Sequence, residues 1–584
     1  GADTSLLTLG AANSVVTFAD GASISGMSIV GSSAGYGQVV FSGSGSAEKI
    51  GVDGTSVKSV AYTGAEGVEF TQKGAVFAGS VSLGKGTFTL QDSVTAGSLS
   101  SAAGTKVVVD SGTLNGGAVT VGGTTTIEFT VTDKAIPGKF VATGTPTGEV
   151  SDIDIVIGSG FAEAGYVAKS IISFTGAGTN VSKLDISSKN KIVKWSLVKR
   201  DADSVDAVAS YDTAAFKSSV LSAGAKGNAL AFVDKLTNAS SGPALKLLDL
   251  VSSNDTATAT EALNRITTSS FGSHAAFAST DALSSSLNSR FNLQSAESIS
   301  SGDESLDVGV WGQIFGSLGT QKADKSNPGY KVTTAGGTIG ADTKISDSGL
   351  VGLAATYGVS GLKFKDFKTG DKTKSTNVVF SVYGKLDLPY NSFVRAVATF
   401  GSGKVKSNAK RLTAPGAYDV AKSSYNTMSY SLEALVGYKY PVLESTSLVP
   451  TAGLRYAEVN DGGYTETGSQ YNLSATKKSS NKLTGIFGAT VENKMDYSDY
   501  QVVSEAHVFG NYDFRAKTPT VNASIDGLEG SFDITPSKAP KFSTNLGLGV
   551  TLKTGMVEYT GSYDAKLAKK FNSHLGSLKV KVNL

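Results

Sequence analysis

The sequence predicts an all-β chain with a helical middle. Its parts are an N-terminal β-solenoid (a parallel β-helix), a helical linker, and a C-terminal twelve-stranded antiparallel transmembrane β-barrel with a helix in its lumen. Three observations predict this. Short β-branched and aromatic runs recur about every twenty residues in the first third. Apolar spacing then turns helical. From Leu306 onward, segments of strict alternation are joined by tight and long connections in turn. The expected boundaries are 1–200 for the solenoid, 201–305 for the linker and 306–584 for the barrel.

Composition agrees. Charged residues are 17% of the 584, and Gly 69 with abundant Ser and Thr suits short strands and turns. A net charge of +2 and the lack of a dense Lys/Arg run argue against a nucleic-acid partner. There is no Cys, which rules out disulfide frameworks and thiolate metal sites and fits a chain that crosses a narrow pore unfolded. No run of about eighteen apolar residues marks a transmembrane helix. "GADTSLLTLG" (1–10) has no basic n-region and no cleavage pattern, so an exported chain of this sequence is expected to be a processed or truncated piece.

The solenoid is read from "VVTF" (15–18), "QVVF" (38–41), "GVEF" (67–70), "TFTL" (87–90), "KVVV" (106–109) and "TIEF" (126–129), with Gly, Ser and Asp clusters between them. Each coil buries its inward side chains only by stacking on its neighbours. A β-sandwich would use the same short strands and turns. In the linker, 213–225, 228–237, 243–251 and 261–266 carry helix-like spacing, with Pro243 at a helix start. The segment "DALSSSLNSRFNLQSAES" (281–298) is polar but for Leu283, Leu287, Phe291 and Leu293. Such a helix is poorly stable in water but suits a polar tube; a disordered linker is the alternative.

Twelve barrel segments are expected at 306–318, 329–342, 349–362, 374–388, 391–405, 424–440, 446–459, 479–496, 500–512, 539–553, 556–566 and 574–584. "DLPYNS", "YPVLES", "DYSDY" and "LKTGM" are tight turns, whereas 363–373, 406–423, 460–478 and 513–538 read as long polar loops. Tyr390, Tyr440, Tyr497 and Tyr500 fit an interfacial girdle. Open edges are forbidden in a bilayer, so the last strand must pair with the first. Leu578, Val580, Val582 and Leu584 then face lipid, and Lys579 and Lys581 face the lumen. By the same parity Arg395, Glu433, Lys439, Arg455, Glu492, Glu505 and His507 are candidates to line the lumen. Arg290 on the lumen helix would find partners among Glu433, Glu492 and Glu505. An even strand count puts both barrel ends on the periplasmic side, so the preceding helix must thread the bore to bring residues 1–200 outside.

Material for an enzyme is thin. The histidines are His274, His507 and His574, and no two have metal-ligand spacing. "GSVSLGKG" (79–86) approaches a phosphate loop, but Gly86 stands where Ser or Thr would hold magnesium. "SGDESL" (301–306) resembles the start of Gly-Asp-Ser-Leu esterases, with Glu304 inserted and in the wrong place. No catalytic residue, cofactor or metal is expected.

The order solenoid, helix, twelve-stranded barrel resembles that of the autotransporters of type V secretion. The barrel carries "GYKVTT" (329–334), "GDKT" (370–373), "TAGLRY" (451–456), "YTETG" (464–468), "SEAHVF" (504–509) and "SYDAKLAKKFNSHLGSLKVKVNL" (562–584). On these motifs it is similar to the rickettsial surface cell antigen family, particularly its outer membrane protein B members. The likeness covers about the last 280 residues. One departure is Leu584, where such barrels usually end in Phe as part of their assembly signal. The resemblance implies an outer membrane anchor with a displayed passenger that adheres to and invades host cells. It also implies, as partners, outer membrane lipid or lipopolysaccharide, the barrel assembly machinery, periplasmic chaperones and a host-cell surface protein. Some autotransporters cleave themselves with lumen carboxylates and a helix Asn, roles that Asn288 or Asn292 with Glu433 would imitate. An enzymatic passenger (protease or esterase) and a helix-gated pore are the alternative readings.

Overall fold

The computed structural model describes residues 5–267, 308–517, 520–537 and 540–584. The expected lumen helix, with Arg290, Asn288 and Asn292, lies outside these residues, as do His274 and 301–306. The chain forms two compact units: Gly1–Val220 with Leu248–Ala259, and Leu221–Leu247 with Thr260–Leu584.

In the first unit the recurring runs form a parallel sheet of eight strands and a ten-stranded sheet that is parallel but for the two pairings of Ser204–Tyr211, with a further parallel pair of Ser5–Leu9 and Met27–Gly31. Each strand pairs with its counterpart one coil on, which excludes the sandwich. In the eight-stranded sheet Phe70 pairs with Phe88, Phe88 with Val107 and Val107 with Ile127, so a coil takes about twenty residues. The next partners, Ile155 and Ile186, show the last coils lengthening. In the ten-stranded sheet Val39, Val60, Val81, Leu99 and Val119 form a buried ladder. Phe41 stacks between Phe18 and Tyr62 at 5.1 and 5.3 Å. The phosphate-loop-like stretch (79–86) is the end of the strand Val76–Leu83, a tight turn at 84–85 and the first residue of the strand Gly86–Leu90, without a helix behind it. Beyond Lys199 the sheet continues into Ser204–Tyr211, which pairs antiparallel with Val193–Lys199 and Val167–Ser173.

Among the described residues four α-helices follow: α1 (Thr213–Ser222), α2 (Gly227–Leu236), α3 (Gly242–Ser253) and α4 (Thr256–Ile266). Asp212 and Asp255 cap α1 and α4, their Oδ1 atoms accepting from the Ala215 and Thr258 amides at 2.9 Å. Pro243 sits in the first turn of α3, where a missing N–H costs nothing.

The barrel strands are β1 (Val308–Gln321), β2 (Tyr330–Ser346), β3 (Gly349–Phe364), β4 (Lys372–Leu388), β5 (Ser392–Ala414), β6 (Ala417–Tyr438), β7 (Thr446–Asp461), β8 (Lys478–Asp496), β9 (Gln501–Lys517), β10 (Phe542–Thr554), β11 (Val557–Ala568) and β12 (Phe571–Asn583). Neighbours pair antiparallel throughout. β12 closes on β1 in an unbroken ladder from Gly309↔Asn583 to Gln321↔Phe571. Burial is inverted relative to a water-soluble sheet. Along β6, Met428, Leu432 and Val436 are at least half exposed, while Ser429, Ser431 and Glu433 between them are buried. The same holds on β12, where Leu578 is 63% exposed and Lys579 3%. Period-two alternation here places the apolar face outward and the polar face inward.

One expectation fails. Residues 406–423 are not a loop, because β5 and β6 stay paired up to Ala414↔Ala417. The positions of outward parity there mix Lys406, Lys410 and Lys422 with Leu412, Tyr418 and Val420, so no uniformly apolar face announces the hairpin, and backbone pairing sustains it beyond the apolar band. In 460–478 and 513–538 the chain builds a four-stranded sheet, with Leu473–Ala475 and Val521–Ile525 at its centre.

Candidate functional site: the polar face of the wall and its tall rim

One rim of the barrel carries the tight turns, among them 347–348, 389–391, 497–500 and 555–556. Tyr390, Tyr440, Tyr497 and Tyr500 are exposed at this short rim, the last two stacked at 4.8 Å. The opposite, tall rim carries the β5–β6 hairpin and the four-stranded sheet.

On the inward face charges meet at one level. Glu433 and Arg455 are cross-strand partners on β6 and β7, and Arg455 Nε donates to Glu433 Oε2 at 2.6 Å. Lys439 Nζ donates to Glu492 Oε2 at 3.2 Å. Glu492 on β8 lies opposite Glu505 on β9. Arg395 on β5, 2% exposed, feels the fields of Glu433, Glu505 and Glu492 together. His507 Nε2 lies 3.1 Å from Asp564 Oδ1. It reaches across β10 over Gly547, where a Cβ would collide with the imidazole. His574 instead bonds the Tyr563 hydroxyl at 2.7 Å on the outward face.

Sequence reasoning missed a second inward group. Trp311 Nε1 donates to Tyr383 Oη at 2.8 Å, and Tyr383 Oη donates to Asp342 Oδ2 at 2.9 Å. Lys581 Nζ lies 3.6 Å from Asp342 Oδ1. Gly340 and Gly352 leave the room that the indole and the phenol occupy. The available signal was parity: Trp311 shares its face with Gln313. Lys579 is buried next along β12, opposite Gln313 on β1 and Thr560 on β11.

At the tall rim the barrel holds the end of α4. Lys368 Nζ donates to the Arg265 carbonyl at 2.7 Å and also to the Thr267 carbonyl. Arg411 Nη1 donates to the same Arg265 oxygen, and its Nη2 grips both Glu466 carboxylate oxygens at 2.9 and 3.0 Å. Two cations thus satisfy carbonyls that a helix C-terminus leaves bare. Burial pushes the Lys368 ammonium down to about 7. α2 docks alongside: Phe232 packs on Phe532 at 4.4 Å, and Asn228 exchanges two hydrogen bonds with Thr535.

Consequently the described chain leaves at Thr267 on the tall rim and resumes at Val308 on the short rim. In a barrel with short periplasmic turns, these are the outer and inner mouths.

The family described as "Autotransporter beta-domain" matches residues 310–564. Outer membrane protein A of Rickettsia rickettsii is 37% identical over 293 residues, covering 49% of this chain and 13% of that protein. Outer membrane protein B of Rickettsia typhi is 32% identical over 295 residues, covering 49% of this chain and 18% of that protein. The chain therefore spans less than a fifth of the length of these relatives. They are named as outer membrane proteins, not as enzymes. Among solved structures, the translocator domain of autotransporter NalP from Neisseria meningitidis aligns at 19% identity and a TM-score of 0.39, covering 52% of this chain and 98% of that one. The C-terminal half of the chain thus carries an autotransporter β-domain, a barrel of the outer membrane, and is similar there to the rickettsial outer membrane proteins A and B.

Proposed function

We propose that residues 306–584 anchor the chain and help carry its N-terminal portion out through the bore, and that the solenoid of residues 1–200 then acts as an adhesin and invasin toward a host-cell surface protein. The observation that carries this reading is that Thr267 and Val308 lie at opposite mouths of the barrel. The polar inner face supports a wet conduit. Arg395, Glu433, Lys439, Arg455, Glu492, Glu505, His507, Lys579 and Lys581 are its lining. Insertion would use the barrel assembly machinery, with periplasmic chaperones keeping the chain unfolded. No ATP is available outside, so folding of the stacked coils at the surface would bias movement outward. The test is to display the full chain, and the same chain lacking residues 1–200, on a non-adherent bacterium and count host-cell attachment. Attachment should require the solenoid; equal counts for both would sink the adhesin reading.

A further inference from the structure

The outward face of β2 to β6 changes chemistry abruptly toward the tall rim. Hydrogen-bonded register aligns its outward residues in rows. One row holds Tyr357, Val378 and Met428, and the row below it Phe380, Phe400 and Tyr430, all exposed aromatic or aliphatic side chains. The three rows above hold Lys404, then Lys374 and Lys406, then Lys331, Lys363, Lys372 and Lys422. Among the outward positions of those three rows stand seven lysines and no carboxylate, and all seven are exposed. The first row lies two residues, about 7 Å, above the apolar band.

Two features separate this field from an ordinary solvated surface. Lys331, Lys363 and Lys372 lie directly opposite one another on three adjacent strands, and Lys374 lies opposite Lys406. Like charges so placed destabilise a sheet unless an anion stands between them. Beneath them, Tyr330, Val332, Leu362 and Phe364 pack into a buried cluster that keeps the strands in register and the ammonium groups in a fixed array. The array also sits at the height where a bilayer changes from hydrocarbon to headgroup.

We propose that this lysine field is a docking site for the phosphate-bearing headgroup of the outer-leaflet glycolipid. Phosphates spaced across strands would neutralise several ammonium groups at once, while the acyl chains lie along the aromatic and aliphatic rows directly below. The site rests on the reading of this wall as membrane-spanning with its tall rim outside, and it gives the lipid partner a defined place on β2–β6.

The test uses the full chain extracted in mild detergent, with diphosphoryl lipid A as the probe and its dephosphorylated form as the control, read by native mass spectrometry. Wild type should retain the diphosphoryl form selectively, and retention should weaken as salt rises. K363Q/K374Q/K406Q should lower apparent affinity about tenfold or more, while K477Q/K541Q, exposed elsewhere on the tall rim, should not. Heat-dependent gel migration of the same samples reports whether each barrel is closed. Equal binding by a closed triple variant, equal retention of the dephosphorylated lipid, or displacement by inorganic phosphate at the lipid's concentration would each overturn the site. Absence of the heat shift in the wild type would overturn the membrane reading beneath it.

Discussion

Arg411 of β5 donates to the main-chain carbonyl of Arg265 at 2.7 Å while its other nitrogen holds Glu466, so one buried guanidinium joins the end of α4 to the barrel's tall rim. Both members of the ion pair are nearly inaccessible, at 1% and 2%. Removing one leaves the other charge buried and unmatched, which costs about 3–5 kcal/mol. Arg411→Met should therefore loosen α4 and expose 221–267 to protease on intact cells. Arg411→Met combined with Glu466→Met should restore much of the protection, since burying neither charge is cheaper than burying one. A double variant as labile as the single one would show that the helix end, not the ion pair, governs the rim.

Lys368 makes the same contact sensitive to pH. Burial is the largest influence on its ammonium and lowers it from 10.5 to about 7 in the folded protein. Between those values the unfolded chain binds the extra proton, so rim stability should rise with pH from about 7 to 10 and stay flat below 7, where both states are protonated. The neutral amine still has two hydrogens for the Arg265 and Thr267 carbonyls. Hydrogen exchange of the last turn of α4 should slow accordingly across that window, and Lys368→Met should flatten the slope. A slope of opposite sign would mean that the lysine stays charged in place.

Leu578 and Lys579 are adjacent on β12 and face opposite solvents. Leu578→Arg puts a charge on the lipid face midway between the rims, at a cost of about 2–4 kcal/mol. Lys579→Gln on the inner face keeps a polar group in a polar surround and should cost under about 1 kcal/mol. Urea titration of heat-dependent migration in lipid vesicles separates the two. Equal losses at both positions would contradict a wall wet on one side and oily on the other.

What could be read from the sequence follows from where two solvents meet. Alternation is strong where one face must be apolar and the other polar, so the twelve strands and the closure of β12 on β1 were legible from residues such as Met428–Tyr440 and Leu578–Leu584. Above the band both faces meet water or polar protein, and 406–423 lost its pattern although its hairpin persists to Ala414↔Ala417. The rim contacts were hidden for a related reason. Lys368 and Arg411 acquire their meaning from carbonyls more than a hundred residues away, and carbonyls leave no mark in a sequence. The Trp311–Tyr383–Asp342 chain needed glycines at 340 and 352 to be recognised as vacated space instead of as flexible joints.

The solenoid obeys a different rule, because each coil touches only its neighbours. Phe41 is 2% exposed and packs against Phe18, Tyr62 and Phe70, the last at 4.6 Å between ring centres. Phe41→Ala should cost about 3–5 kcal/mol there. The loss should be felt in the strands at Val15–Phe18, Gln38–Ser42 and Val57–Thr63, while exchange at Thr125–Phe129 and the heat shift of the barrel stay unchanged. If stacking of coils draws the chain outward, the same variant should also slow the appearance of residues 1–200 at the surface without altering the amount of barrel inserted. Timed surface proteolysis measures this directly. Unchanged kinetics with a demonstrably weakened coil would uncouple passenger folding from export and leave the driving force to be sought within the bore.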